Sequence, residues 1–534
     1  MRKKIQSALQ WRAVRLLNNH AIKNMSASVA KHAPPPGGKP VIFFNTSSRL
    51  GSMSLNAAYS LLTSWSMQLS GVPIINVYCR QGMTRCIHGT NRDDPQQLPP
   101  CHECIHQSAV NFSHSTALPI IYEEDREFEE IIRKLTLPEM EEFVHEGLPL
   151  GNICRSSLRW VMRRYHLQDE PNTLTIFRHY LRSSWNIARQ FGKILDEQQP
   201  QALVVFNGIV YPEGTARYLA KQRGIRVISH EVNLQPFTAF FTDQEATFRA
   251  TPLPSGFTLS DVQIEQFNQY FTKRTKGQFQ MAGVTFWKEI SDLDEHLLAK
   301  MEAFQQTVSV FTNVIFDTSQ EHANTFFPHM FAWLNHVLET VKENPQTLFV
   351  LRAHPDEGRP GKASQESVAD WVKQSDWDQL PNTMFYGPRK SINSYELIRR
   401  SKFCLVYTST IGMEASLVGT PVICVGRAYY NEHNPAGFTT QSMEEYHAIL
   451  QRFLSQPGKI NAPDQHKINA RNFLYYQLFR TSLPFGDFIT EDGAWAGYVK
   501  LKQFPWQALL PENSTTMQVI QNGILCAKPF VLPA

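Results

Sequence analysis

The sequence predicts an α/β protein made of two Rossmann-like domains with parallel sheets facing each other across a cleft. Three observations lead there. Short apolar runs recur in two separate series, VIFF (41–44) to IRVIS (225–229) and TVSVF (307–311) to PVICV (421–425), with helical patterns between them. Several runs end in polar loops rich in Ser, Thr, Gly or His, where ligands lie in open α/β sheets. The chain has 534 residues, enough for two large domains at about 100–200 residues each.

In chain order, residues 1–39 form a basic segment. Its first 25 residues hold six Lys or Arg and no acid, with Ile5, Leu9, Val14, Leu17 and Ile22 as the apolar positions. That pattern suits either a basic amphipathic helix on the inner face of an anionic membrane or a leading helix packed on its own domain. HAPPPGGKP (32–40) punctuates, and VIFF opens the first domain, expected over 40–240. Apolar residues recur at helical spacing from Ser54 to Leu69, and GVPIINVYC (71–79) reads as the next parallel strand. Residues 105–200 read mostly as helix, and ALVVF (202–206), TARYLAKQR (215–223) and IRVIS repeat the strand–helix–strand unit. A helical connector is expected over 241–303 and a second domain over 304–460, with strands at 307–311, 348–352, 384–386, 403–407 and 421–425. The segment 461–534 reads as a helical extension with no chemistry of its own.

Composition narrows the function. Fifty-two basic against 48 acidic side chains leave +4, too small a bias for a nucleic-acid footprint. No run approaches 18 apolar residues, and Arg12 and Arg15 interrupt any secretory core, so a cytoplasmic protein is expected. Eight cysteines are too sparse for a disulfide scaffold. Four of them, Cys79, Cys86, Cys101 and Cys104, cluster with a terminal CxxC, which suits a structural zinc site. An iron–sulfur cluster, a reducible disulfide and plain thiols are the other readings, and His88, His102 and His106 are further candidate ligands.

Two loops carry the candidate chemistry. LFVLRAHPDE (348–357) places Arg352 and His354 just past a strand that Pro355 ends, offering a forked donor and an imidazole to phosphoryl oxygens. YTSTIGMEA (407–415) sets Thr408, Ser409, Thr410 and Gly412 between a strand and a helix whose first N–H groups suit a diphosphate, with Glu414 within reach of sugar hydroxyls. Tyr395, on an intervening helix, suits either base stacking or the core.

TNVIFDT (312–318), RAHPDE (352–357), SINSYELI (391–398), YTSTIGMEA, GTPVI (419–423) and Tyr430 with GFT (437–439) together resemble bacterial capsule and surface-polysaccharide glycosyltransferases of the GT-B type, over roughly 40–455. The resemblance implies a metal-independent enzyme that moves a sugar from a nucleotide-sugar donor, held by the second domain, to a glycan or lipid-linked glycan acceptor. It assigns the donor phosphate to His354, Ser409 and Thr410, and matches Glu414 to the acid of the glycine-flanked loop. The second glutamate of many retaining transferases, eight residues on, is absent, since Val422 stands there. An inverting transfer needs a general base from the first domain, and His230, Glu231 and Glu213 are the candidates, with Gly51 and Ser52 near the acceptor or donor sugar. A nucleotide-sugar 2-epimerase shares the layout but usually carries consecutive acids where this chain has Glu414–Ala415. A non-catalytic two-lobed sugar-binding protein is the remaining alternative.

Overall fold

Two sheets of the same strand order organise the chain, whose computed structural model describes residues 2–47, 52–276, 280–281, 284–285, 292–361, 363–494 and 497–533. The first sheet contains β1 (Val41–Asn45), β2 (Ile74–Cys79), β3 (Thr116–Ile120), β4 (Ala202–Phe206), β5 (Arg226–Val232) and β6 (Thr238–Thr242). They lie in the order β6-β5-β4-β1-β2-β3, parallel except that β6 runs antiparallel to β5. The second contains β7 (Gln306–Phe311), β8 (Thr347–Arg352), β9 (Thr383–Tyr386), β10 (Phe403–Val406), β11 (Val422–Cys424) and β12 (Phe438–Thr439), in the order β9-β8-β7-β10-β11-β12 and all parallel. Each lobe is therefore Rossmann-like, and together they give the expected GT-B-like pair.

The apolar runs are unbroken because both faces of each sheet are covered. Ile42 and Phe44 enter one core of the first lobe, Val41 and Phe43 the other. In the second lobe Phe349, Leu351 and Leu405 face one core, while Leu348, Val350 and Val406 face its counterpart. Side chains alternate along a strand, so a run with no polar interruption means helices on both sides.

The structure departs from the sequence reading at the sheet edges. The stretch 105–200 contains β3, an edge strand that tolerates Pro119, and β6 straddles the boundary expected between residues 240 and 241. The C-terminal segment is not a separate appendage. Helix Asp464–Phe479 contributes Phe473 and Leu474 to a core of the second lobe. The chain then returns to the first lobe, where β13 (Leu483–Pro484) pairs with β6 and helix Thr515–Cys526 adds Met517, Ile520 and Ile524 to its core. The N-terminal helix Arg2–His32 packs on the same lobe through Ile22 and Val29, and Asn18 bonds to Val499 and Leu501. Its Leu16 and Leu17 remain exposed. No helix among the described residues is long and apolar enough to cross a membrane.

A cleft of about 920 Å3 has walls from both lobes. Glu366 of the second lobe accepts from the backbone of Tyr165 and His166 and lies 2.6 Å from His166 Nδ1. At the cleft, Glu245 of the first lobe sits between Arg217 (2.5 Å) and His322 of the second (2.9 Å). The hydrogen bond to Glu245 raises the His322 pKa, with Glu321 adding to the effect and Arg427 opposing it. A raised histidine contributes stability that is complete below its unfolded value of about 6.5 and fades as pH rises through the folded value. The difference in thermal midpoint between the native chain and His322→Gln is therefore expected to be largest near about pH 6 and to vanish by about pH 9, as read by calorimetry.

Candidate functional site

In a sheet of this order the chain crosses over in opposite directions from the two central strands, leaving a crevice at their C-terminal ends. In the second lobe that crevice is a cavity of about 140 Å3 beyond β7, β8 and β10. Thr312 follows β7, Arg352 and His354 come from the end of β8, and Ser409 and Thr410 follow β10. The two loops singled out in the sequence thus share one cavity. Tyr395 and Glu414 complete one wall, and Arg274, from helix Asp261–Thr275, closes it.

Arg352 is buried, and its Nη1 donates to the carbonyls of Tyr386 (3.3 Å) and Gly387 (2.5 Å). Its Nε has no hydrogen-bond partner. Burial draws its pKa down to about 10. His354 caps the 3-10 turn Pro355–Gly358, its Nδ1 accepting from the amide of Asp356 at 3.2 Å. That bond makes Nε2 the protonated nitrogen of the neutral ring. Burial lowers the His354 pKa against the pull of Asp356 and Asp317, with Arg352 adding to the decrease, so the ring is a neutral donor.

Glu414 does not stand ready for a sugar hydroxyl. Arg274 donates to its Oε1 from Nε (3.2 Å) and Nη2 (2.7 Å), and the Tyr395 hydroxyl donates to Oε2. The same bond ties Tyr395 into the wall, away from any stacking role. Asn393, in the SINSYELI motif, positions Tyr395 by accepting from the amides of Tyr395 and Glu396, both at 3.1 Å.

Thr408 and Gly412 lie outside the cavity lining. The Thr408 amide donates to Asn313 and its hydroxyl to Gln320, which anchors the loop to the TNVIFDT segment. The Gly412 N–H is taken by the Ser409 carbonyl at 3.0 Å, and a Cβ there would stand 2.6 Å from the Tyr430 hydroxyl. Gly412 is thus a packing glycine. Helix Ile411–Leu417 has only seven residues, so its dipole adds little to the side-chain donors.

The first lobe has its own crevice at the same topological position, a cavity of about 50 Å3 lined by Ser47, His88, Phe206, Glu213 and His230 among others. The three candidate bases differ sharply. His230 and Glu231 lie within β5, opposite Phe241 and Phe240, rather than in a loop beyond it. His230 is buried, stacked on Phe241, and pushed down to about 3 by desolvation. Glu231 accepts from Asn56 (2.7 Å), Asn207 (3.1 Å) and the Val232 amide (2.8 Å), and it does not line the cavity. Glu213, in the first turn of helix Tyr211–Gln222, is fully buried and pushed up to about 8 by desolvation. The Ser47 hydroxyl donates to its Oε2 at 2.9 Å, and Oε1 has no partner. Gly51 lies outside the described residues. Ser52 is buried and lines neither cavity.

Cys79, Cys86, Cys101 and Cys104 do converge, on a small void beside this crevice. Among the described residues, no three His, Cys, Asp or Glu side chains are grouped so as to hold a single metal ion.

Arg274, Thr312 and Ser47 escaped the sequence reading. Arg274 ends a helix beside Lys273, where basic residues ordinarily complement the helix dipole, and its partner is 140 residues away. Breaking a buried ion pair by deleting one partner leaves the other charge stranded. Arg274→Ala is expected to cost about 3–5 kcal/mol in denaturant unfolding of the second lobe, whereas Arg274→Met with Glu414→Leu costs less than the single change.

Residues 262–452 match the family model for capsule polysaccharide biosynthesis proteins. No curated protein matches the chain. Among solved structures, KpsC of Thermosulfurimonas dismutans, a beta Kdo 2,4 transferase, is similar at 12% identity and a TM-score of 0.33, over 51% of this chain and 79% of that one. The UDP-GlcNAc 2-epimerase of Methanocaldococcus jannaschii is similar at 12% identity and a TM-score of 0.27, over 55% and 80%. The sucrose-phosphate synthase of Thermosynechococcus elongatus reaches 10% and 0.28, over 92% and 100%. Scores this low bear no weight for chemistry, and the fold rests on the strand order above. Residues 262–452, from the connector helix to the far side of the second sheet, are thus similar to capsule polysaccharide biosynthesis proteins.

Proposed function

We propose that the protein is a glycosyltransferase of capsule or related surface-glycan assembly, which holds a nucleotide-sugar donor by its phosphates in the second lobe and an acceptor glycan at the first. The observation that carries this reading is Arg352, a buried guanidinium bordering a cavity and met by carbonyls alone. A buried cation without a carboxylate is costly unless an anion completes it. Phosphate oxygens match the forked donor, the His354 Nε2–H and the Ser409 and Thr410 hydroxyls. A cavity of about 140 Å3 accommodates the phosphates and not the whole donor, since pockets that enclose drug-sized ligands run to about 300–1,000 Å3.

Sugar transfer puts negative charge on the departing phosphate. Arg352 and His354 are fixed before the reaction and stabilise that charge without reorganising. Because the neutral ring is the donor, His354 needs no protonation near neutral pH. The acceptor hydroxyl must lose its proton as the glycosidic bond forms, and Glu213 is the best suited of the three candidates. Its carboxyl titrates at about 8, its free Oε1 accepts the proton, and Ser47 holds the other oxygen. His230 is too weak a base, and the Glu231 carboxylate is already occupied by donors.

Thermal shifts with UDP, GDP, CDP and CMP test the donor site. At least one nucleotide is expected to raise the midpoint of the native chain, and Arg352→Ala and His354→Ala abolish the shift. No response to any of the four overturns the reading. With a nucleotide-sugar panel, turnover is expected only when acceptor glycan is added and to persist in EDTA, with Arg352→Ala slower by about 10²–10³-fold. Acceptor-independent turnover would instead identify an epimerase. The transfer rate is expected to rise with pH through about 8 as Glu213 ionises, and to fall away at every pH in Glu213→Gln.

A further inference from the structure

At His88 the first-lobe crevice adjoins a larger pocket between the lobes. This pocket holds about 370 Å3, within the roughly 300–1,000 Å3 of small-ligand sites, and its lining includes His88, Arg92, Asp93, Trp160, Arg163 and, from the second lobe, Gly361. His88 also lines the cavity that holds Glu213, whereas the lining of the donor cavity and that of this pocket have no residue in common. The pocket therefore extends the first-lobe side of the cleft.

Arg163 is its central feature. It ends helix Leu150–Met162 at φ +59°, a left-handed conformation ordinarily left to glycine or asparagine. The Gln365 amide of the second lobe donates to its carbonyl at 2.8 Å, which holds the turn against the other lobe. The side chain is buried, with its guanidinium 4.2 Å over the Trp160 ring and 5.4 Å from that of Phe316. Among the described residues that guanidinium meets rings and no ion-pair or hydrogen-bond partner. A ring covers the face of a guanidinium and leaves its in-plane N–H groups free, the edge that meets a carboxylate or phosphate through two parallel bonds.

A second cation shares the pocket. Burial, together with Arg92, draws the Arg163 pKa down to about 10 against a smaller opposing pull from Asp317. The loop that carries Arg92 is fixed, since Asn172 donates to the Arg92 carbonyl at 3.0 Å and Arg85 to the carbonyls of Pro95 (2.8 Å) and Gln96 (3.0 Å). Asp93 meets Arg92 at 3.5 Å but is largely exposed, so it answers little of this charge. Two guanidiniums in one pocket, one of them buried without a counter-ion, are completed by an anion.

We propose that this pocket binds an acidic sugar unit of the acceptor glycan, with Arg163 and Arg92 meeting its carboxylate or phosphate. That the glycan is an acceptor rests on the transferase reading above. A chain whose hydroxyl reaches Glu213 runs past His88 and sets its acidic unit against the two arginines. A neutral chain leaves both cations unanswered, which makes the pocket a device for specificity.

The test is equilibrium binding to the full chain without any donor, read by calorimetry at low salt. The panel is a tetrasaccharide of alternating glucuronic acid and N-acetylglucosamine, its methyl ester, sialyllactose, mannose 6-phosphate and neutral chitotetraose. At least one acidic member is expected to bind about tenfold or more tighter than chitotetraose, and to weaken as salt is added. Preference for the carboxylates or for the phosphate identifies which anion the pocket reads. Arg163→Met and Arg92→Met are each expected to lose the preference, while Arg163→Lys keeps part of it, since lysine retains the charge without the fork. Should Arg163→Met fail to fold, Arg92→Met, on the more exposed wall, still decides. Equal binding of acidic and neutral members, no binding by any of them, or a preference that survives Arg92→Met overturns the assignment. Nucleotide shifts without an acidic preference sink this pocket alone, and an acidic preference without nucleotide shifts sinks the donor site alone.

Discussion

A guanidinium buried at the end of a strand, with no acid among the described residues to meet it, is the constraint around which the second lobe is arranged. Water would solvate Arg352 far better than the two carbonyls that reach it, and removing a charge from water costs several kcal/mol even after the protein relaxes. The neighbouring cation shows the contrast. Arg274 is answered within the fold by Glu414, which Tyr395 also holds. One cationic site is completed by the protein and the other is not, on opposite sides of one cavity. The first gives that cavity a rigid wall, and the second leaves it a demand for an anion.

The same division explains which parts of the motifs were legible. Doubly covered parallel strands produce unbroken apolar runs, so β1, β4, β8 and β10 stood out, and the polar residues just past β8 and β10 marked the crevice. What the pattern concealed was which polar residues face the crevice and which hold its loops. Thr408, Gly412 and Glu414 share a ten-residue stretch with Ser409 and Thr410, yet they are occupied by Asn313 and Gln320, by Tyr430 packing, and by Arg274 and Tyr395. Those partners are distant in sequence, so no local spacing distinguishes a brace from a contact. The elements that went unread are edges. β3 carries a proline, β6 turns back antiparallel, and β13 comes from a segment more than 240 residues further on.

The two lobes repeat one topology with opposite electrostatics. In the second, the crevice carries Arg352, Arg274 and a neutral His354. In the first, it carries Glu213, which desolvation pushes up to about 8, and His230, which desolvation pushes down to about 3. A shared strand order fixes where a crevice forms and leaves its chemistry to the loops. The proposed transfer needs that asymmetry, since a phosphate-bearing donor must be met by fixed positive charge and a hydroxyl-bearing acceptor by a base.

Geometry must then be maintained at the first-lobe crevice without help from helix packing alone, because Ser47 stands just past β1 and His88 belongs to the cysteine-bearing loop after β2. Ser47 is the donor that keeps one Glu213 oxygen occupied and the other open. A long polar loop beside a buried carboxylate would ordinarily admit water and return the carboxyl to its usual range. Glycines at 82 and 89 draw this loop against Ile120 and Pro99, and the four sulfurs line a small void within it. Desolvation is what raises Glu213, and His88 of this loop lines the same cavity.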